Sequence, residues 1–252
     1  MMASSPTVAR AVELLRHAKH AVALTGAGIS TPSGIPDFRS PESGVWDAVD
    51  PMEVASIDAF RHNPAPFFEW IRPLANTILQ AKPNAAHLAL ASLEANGRLQ
   101  ATITQNIDLL HSKAGSNSLY ELHGSMRQAT CLTCQTQVDG LEMWRTYANT
   151  HQIPICSACD HVLKPNVILF GEMLPALTMH LAQQAAKQCD LMLVIGSSLE
   201  VAPAGDLPLL AKQAGAKLII INFGQTHMDK QADLLFREDV AVLLPQLAEP
   251  FK

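Results

Sequence analysis

Charge is scarce in this chain of 252 residues: Asp, Glu, Lys and Arg make up 16% of it, and aromatic residues only 5%. The net charge is −5 and no basic run is present, so the electrostatic footprint of a nucleic-acid binder is missing and direct nucleic-acid binding is not expected. A basic protein tail remains a compatible partner. No uninterrupted apolar stretch approaches the roughly 20 residues needed to span a bilayer, which excludes a membrane helix. The N-terminus lacks the basic region, long apolar core and small-residue cleavage site of a secretory signal. A cytoplasmic, reducing setting is therefore expected. Internal repeats and low-complexity tracts are also absent. The chain that remains is 48% hydrophobic, enough for a substantial core in one large domain with a smaller module.

Only five cysteines occur, but four of them form two C-x2-C pairs, Cys131/Cys134 and Cys156/Cys159. Each pair can offer two thiolates to one tetrahedral ion, and two pairs complete a closed site with no position left for substrate. The 21 residues between them, 135–155, slightly exceed the roughly 15–20 usual in such ribbons. One structural Zn2+ is the expectation. Two disulfides are the alternative, disfavoured in a reducing compartment. His151 and His161 flank the second pair as substitute ligands, unnecessary once four thiolates are present. Cys189, just before an apolar run, reads as a small buried residue rather than a nucleophile.

Apolar residues at helical spacing from Val8 to Lys19 precede the apolar run Ala21 to Leu24, which stops at Gly26. This is helix, strand, glycine turn. The runs 191–195, ending in Gly196-Ser197-Ser198, and 217–221, ending at Asn222, have no polar alternation, as in parallel strands covered on both faces. Ala101 to Thr104 is a further strand, and Val240 to Leu244 is expected to be the last. Helices are expected at 85–95, 176–187 and 205–214. The pattern predicts an α/β fold, a Rossmann-like doubly wound parallel sheet with its ligand site at the carboxyl ends of the strands. The sheet domain would be discontinuous, comprising 1–40, 84–123 and 166–252. A helical lid with Trp46, Phe60, Phe67, Phe68 and Trp70 is inserted at 41–83, and a small zinc-ribbon module at 124–165.

Four segments carry chemistry. In Gly26-Ala27-Gly28-Ile29-Ser30-Thr31 the glycines allow close backbone approach to a pyrophosphate and the following amides can donate to it. Thr31 replaces the third glycine of G-x-G-x-x-G, which weakens a dehydrogenase assignment and leaves an ordinary turn as the alternative. Asp37, Phe38 and Arg39 share a loop whose plain reading is a surface ion pair. Gln105, Asn106 and Asp108 end a strand, where amides and carboxylates can hydrogen-bond a ribose or carboxamide. His123, in Leu122-His123-Gly124, stands at a domain junction suited to proton transfer, although a lone histidine is more often structural.

Together these segments resemble the sirtuin family, the NAD-dependent protein lysine deacylases. The resemblance runs in order over nearly the whole chain: GAGIST at 26–31, GIPDFR at 34–39, TQNID at 104–108, LHG at 122–124, both cysteine pairs, KPNVILFGE at 164–172, Gly196-Ser197-Ser198 and Asn222. It implies that NAD is a consumed cosubstrate, contacted by Ala27, Gly28, Thr31, Asp37, Phe38 and Arg39. Gln105 and His123 would sit at the nicotinamide ribose, and Ile107 and Asp108 at the nicotinamide. Gly196, Ser197, Ser198 and Asn222 would hold the adenosine half, with Asp239 closing over the adenine. Phe38 has plain core as its alternative.

The resemblance further implies that the acyl oxygen of a modified lysine attacks the nicotinamide ribose at C1′ and forms an alkylamidate. His123 then acts as general base, with Asn106 as the second catalytic residue, and water releases lysine and an O-acyl-ADP-ribose. Ile168, Phe170, Gly171 and Glu172 would pair with the backbone of an acyl-lysine protein or peptide as an added strand, with a buried strand as the alternative. Phe68 and Ile71 fall where succinyl-preferring members carry a Tyr-x-x-Arg pair, which favours acetyl or another uncharged acyl group, because burying an unpaired carboxylate is costly. Arg72 lies one position away, so a local shift could restore a cation. ADP-ribosyl transfer to protein, NAD hydrolysis and a non-catalytic NAD or ADP-ribose sensor stay open as other uses of the same site.

Overall fold

The computed structural model describes residues 6–38, 44–45 and 49–252. Arg39 and Trp46 lie outside the described residues. In chain order the elements are α1 (Pro6–His17), β1 (Ala21–Thr25), α2 (Pro51–Val54), α3 (Ile57–His62), α4 (Ala65–Gln80), α5 (Ala85–Ala95), β2 (Ala101–Thr104), α6 (Leu110–Lys113), β3 (Leu119–Glu121), β4 (Gly124–Cys131), β5 (Gln137–Asp139), α7 (Gly140–Thr150), β6 (Leu163–Val167), α8 (Ala176–Gln188), β7 (Leu191–Ile195), α9 (Leu207–Gln213), β8 (Lys217–Ile221), β9 (Leu234–Phe236) and α10 (Val240–Ala248). Helix starts follow local capping chemistry. The Ser56 hydroxyl accepts the Ala59 amide, the Asp139 carboxylate accepts the Glu142 amide, and Asn84 and His87 close a capping box on α5.

Six strands form one sheet in the order β3-β2-β1-β7-β8-β9, with every neighbouring pair parallel. The strands are apolar on both faces because each face is covered. Ala23, Leu193 and Ile219 share a register and bury one way, against α1, α5 and α10; Val22, Met192 and Leu218 bury the other way, against α8 and α9. The order in which strands are added reverses between β1 and β7, growing outward on either side. That is the topological switch point of an open α/β sheet.

One expectation fails. Val240–Leu244 is not a strand but the first part of α10, capped by Asp239, whose carboxylate accepts the Ala241 amide at 2.7 Å. Val240, Leu243, Leu244 and Leu247 recur at helical spacing and are buried on the α1 and α5 side of the sheet. A short continuous apolar run does not by itself separate a buried strand from a buried helix.

A three-stranded antiparallel sheet, β5-β4-β6, carries the cysteine pairs. Its apolar side and the helices of 51–80 share one core: Phe67, Phe68, Ile71 and Ile78 are buried with Met126, Trp144, Tyr147, Cys131 and Cys156. Phe68 lies 5.8 Å from the Trp144 ring and 5.2 Å from that of Tyr147. Aromatic side chains, rare elsewhere in the chain, concentrate where the two insertions must hold each other. Among the described residues no helix is long and apolar enough to cross a membrane.

Candidate functional site

The carboxyl ends of β1 and β7 meet backbone to backbone. Gly26 and Gly28 donate their amides to the carbonyls of Ile195 and Gly196 at 3.0 and 2.9 Å. A Cβ on Gly28 would stand 2.8 Å from the Gly196 Cα, and one on Gly196, at φ +58°, would stand 2.4 Å from the Ile29 nitrogen. These glycines therefore bring two loops together across the switch point, their own amides engaged by the β7 loop. Ala27 and Gly28 are half-buried and Thr31 is exposed. The Thr31 hydroxyl donates back to the Gly28 carbonyl at 3.1 Å. Asp37 is half-buried, and Phe38 rests partly covered on the core shared by the two insertions.

At the end of β2 the chain builds a buried polar network. Asn106 donates to the Gly26 carbonyl and the Ser30 hydroxyl, both at 3.1 Å, and Ser30 donates to Asp108 at 2.6 Å. Asp108 is 4% exposed, and burial raises its carboxyl above the ordinary value despite hydrogen bonds from Ser30 and the Leu110 amide. Leu109, at φ +66°, holds the turn that brings the Leu110 amide onto this carboxylate. Ile107, like Phe38, packs against the insertion core.

Two histidines not anticipated from the sequence complete the network. His87 and His111 stack edge to face at 4.9 Å. Burial pushes His87 down to about 4 and His111, with the His87 charge adding, to about 3. Thr25 lies 2.8 Å from the Thr104 hydroxyl and 2.9 Å from the His111 Nε2, joining the ring to the strand ends. The buried Nδ1 of His111 has no hydrogen-bond partner among the described residues. Asn84 is the one local signal of this network, since its capping pattern with His87 is readable and its side chain also donates to the Ile29 carbonyl.

His123 follows β3 and is half-buried. Its Nδ1 lies 2.9 Å from the Gln105 carbonyl. A carbonyl only accepts, so Nδ1 carries the proton and Nε2 of the neutral ring keeps the lone pair. Gln105 in turn donates to Ser197 at 2.9 Å, tying β2 to the β7 loop. Ser197 is buried and Ser198 half-buried beside it. Asn222 ends β8 and donates to the Gly224 carbonyl at 2.9 Å. Arg237 latches that loop through the Asn222 and Gly224 carbonyls and Asp229. Asp239, exposed at the N-terminus of α10, uses its carboxylate as a helix cap.

Residues 168–172 are not a strand. Beyond β6, Ile168 donates to the His123 carbonyl at 2.8 Å, while Phe170 bridges to the lid, its amide on Ala55 and its carbonyl on the Ile57 amide, both at 2.9 Å. The other edge is closed at Leu169, whose amide donates to Glu172 at 2.8 Å and whose carbonyl accepts the Glu172 amide at 3.0 Å. The Ile168 carbonyl and the amide and carbonyl of Gly171 make no hydrogen bond among the described residues. Phe68 and Ile71 are 0% and 3% exposed, and Arg72 donates to His151 at 3.1 Å.

The four sulfurs of Cys131, Cys134, Cys156 and Cys159 lie within 4.8 Å of one another, with nearest contacts of 3.3 to 3.5 Å. Disulfide sulfurs would be about 2.05 Å apart, whereas a tetrahedral ion with Zn–S bonds of about 2.3 Å holds its thiolates roughly 3.8 Å from each other. The donor set fits zinc and leaves no open position. His161 instead faces the Cys159 carbonyl at 2.7 Å. Cys189 is buried, its thiol pushed up to about 11, as suits a packing residue.

The family model described as the Sir2 family matches residues 26–203. The chain is 46% identical over 246 residues to the NAD-dependent protein deacylase 2 of Archaeoglobus fulgidus, covering 97% of this chain and 96% of that one. It is 40% identical over 238 residues to the NAD-dependent protein deacetylase of Thermotoga maritima, covering 94% and 96%. A solved Sir2 structure with a deacetylated p53 peptide and 3′-O-acetyl ADP-ribose superposes with a TM-score of 0.92 at 38% identity, covering 97% of this chain and 98% of that one. Another, of Sir2 with a p53 peptide and NAD+, superposes at 0.86 with 40% identity, covering 95% and 96%.

Proposed function

This chain belongs to the Sir2 family, and on that premise we propose how its residues divide the work of deacetylating protein lysine with NAD. It is an NAD-dependent protein lysine deacetylase whose products are the free lysine, nicotinamide and an O-acyl-ADP-ribose. Bound NAD supplies an electrophilic ribose carbon with nicotinamide as its leaving group. The single observation that carries the assignment of roles is the His123 hydrogen bond to Gln105, which leaves Nε2 as the basic atom of a neutral ring. His123 is the general base toward a ribose hydroxyl.

Asn106 and Asp108 shape the nicotinamide end, a role supported by their shared burial with Ser30. The loops of Ala27 to Phe38 and Gly196 to Ser198 hold the diphosphate and adenosine portions, supported by their meeting at the switch point, where open α/β sheets bind ligands. Asn222 serves the adenosine ribose, and Arg39 joins the cofactor loop. Asp239 caps α10 through one carboxylate oxygen and offers the other toward the adenine. Acyl-lysine peptides bind along 168–172 through the Ile168 carbonyl and Gly171, whose main-chain groups make no hydrogen bond among the described residues. The division into a sheet domain of 1–40, 84–123 and 166–252, a lid at 41–83 and a zinc module at 124–165 is supported by the two separate sheets. A reducing cytoplasm suits four free thiols at metal-ligand spacing, and a charge of −5 gives no support to a nucleic-acid partner.

Nicotinamide release, measured with and without an acetylated peptide, tests the reading together with product identity. The wild type is expected to need the peptide and to form O-acetyl-ADP-ribose rather than ADP-ribosylated protein or free ADP-ribose. His123→Ala is expected to abolish turnover while keeping zinc and much of the NAD affinity; near-wild-type turnover would overturn the role of His123.

A further inference from the structure

Lys164 is 5% exposed, an unusual place for an ammonium group unless its charge is matched. It lies on β6 opposite Thr130, one position from the pairing of Leu163 with Cys131, so it belongs to the strand ladder that carries the metal cluster. Its Nζ donates to the Val167 carbonyl at 2.8 Å and the Pro165 carbonyl at 3.2 Å, and sits 2.9 Å from Glu172 Oε2. The same Glu172 oxygen accepts the Leu169 amide at 2.8 Å.

We infer that the Lys164–Glu172 pair is a positioning device that folds the turn 169–172 against β6 and so presents the Ile168 carbonyl and Gly171 to an acyl-lysine peptide. Glu172 is then not a substrate contact. Its carboxylate points inward and occupies the Leu169 edge, which prevents that edge from pairing with substrate out of register. Gly171 sits at φ +85°, with a virtual Cβ 3.3 Å from Ile57, so the turn reverses there and returns Glu172 to Leu169. Burial draws Lys164 below its ordinary value and the Glu172 charge opposes this, in keeping with a pair in which each charge needs the other. The inference rests on the reading of 168–172 as the peptide site.

Four variants test it: Glu172→Gln, Glu172→Ala, Lys164→Met and the double Lys164→Met/Glu172→Met. Each is assayed for zinc content, melting temperature, and KM for peptide and NAD. Glu172→Ala and the folded double variant are expected to raise the peptide KM about tenfold, the worth of one lost charge-assisted hydrogen bond, with kcat and the NAD KM little changed. Glu172→Gln keeps an acceptor for the Leu169 amide and is expected to raise the peptide KM by only about threefold. Lys164→Met is expected to raise the peptide KM and to melt below the double, since it leaves a carboxylate unmatched. Equal effects of Gln and Ala at 172, or a wild-type peptide KM in the folded double variant, overturn the inference. A separate arm gives the wild type a peptide N-methylated next to the acetyl-lysine. If its KM is unchanged, the peptide-site reading itself fails, whatever the variants do.

Discussion

Lowering the pH from 7 to 5 is expected to remove stability that a His111→Gln variant does not lose. His111 is 2% exposed, and burial holds it near 3 in the folded chain, against about 6.5 in the unfolded chain. A group with a depressed folded value contributes stability in full above its unfolded value and loses it as the pH falls toward the folded one. Between pH 6.5 and 5 the unfolded chain therefore binds a proton at this position while the native chain does not. At about 1.4 kcal/mol per pH unit, that interval removes about 2 kcal/mol. Asp108, raised by burial, acts in the opposite direction, so the wild-type curve alone is a mixture. The comparison with His111→Gln isolates the histidine together with its coupling to His87, because more distant groups and the pH dependence of metal binding are common to both chains. Urea unfolding of the zinc-loaded proteins at the two pH values measures the difference. The penalty of the substitution is expected to be about 2 kcal/mol smaller at pH 5 than at pH 7. An equal penalty at both would mean that His111 is protonated or solvated in the folded chain, and would refute the neutral, buried assignment.

Three further outcomes follow from the same packing. Gly196→Ala sets a Cβ 2.4 Å from the Ile29 nitrogen at a positive φ, and is expected to cost about 3 kcal/mol or more in unfolding free energy; an unchanged melting temperature would show that the two loops do not meet this closely. Chelation is expected to release one zinc per chain, shift Trp144 fluorescence to the red and abolish activity, because Cys131 and Cys156 share a core with that ring; intact fold and activity after verified removal would reject a structural metal. On one peptide, acetyl is expected to leave faster than succinyl, since Phe68 and Ile71 are buried in an apolar core and Arg72 is engaged by His151. Faster desuccinylation would reject the apolar reading of the acyl pocket.

Much of the fold was legible because it is written locally. The strands at 21–25, 191–195 and 217–221 each hold four or five successive apolar residues, 101–104 ends at a polar turn, and α5 begins at a readable Asn cap. The failure at 240–244 was one of periodicity: five apolar residues fit either element, and only the Asp239 cap and the packing against α1 and α5 chose the helix. Strands β3 and β9, three residues each, offered no pattern. In the site, residue types were legible but not their directions. Glu172 reads from sequence as a substrate contact, yet the reversal at Gly171 turns it inward. The glycines after β1 read as a phosphate loop, yet two of their amides bind the β7 loop.

Residue type and short-range spacing by themselves determined that two thiol pairs could close around one ion, that a parallel sheet would end in polar loops, and that one histidine stood at the junction of two modules. Tertiary structure alone decided which charges are matched and which rings are neutral. His87 meets His111, and Ser30 meets Asp108, across long stretches of chain. A side chain's proton affinity is set by the water it loses and the partners it gains, and neither is encoded in its immediate neighbours along the sequence.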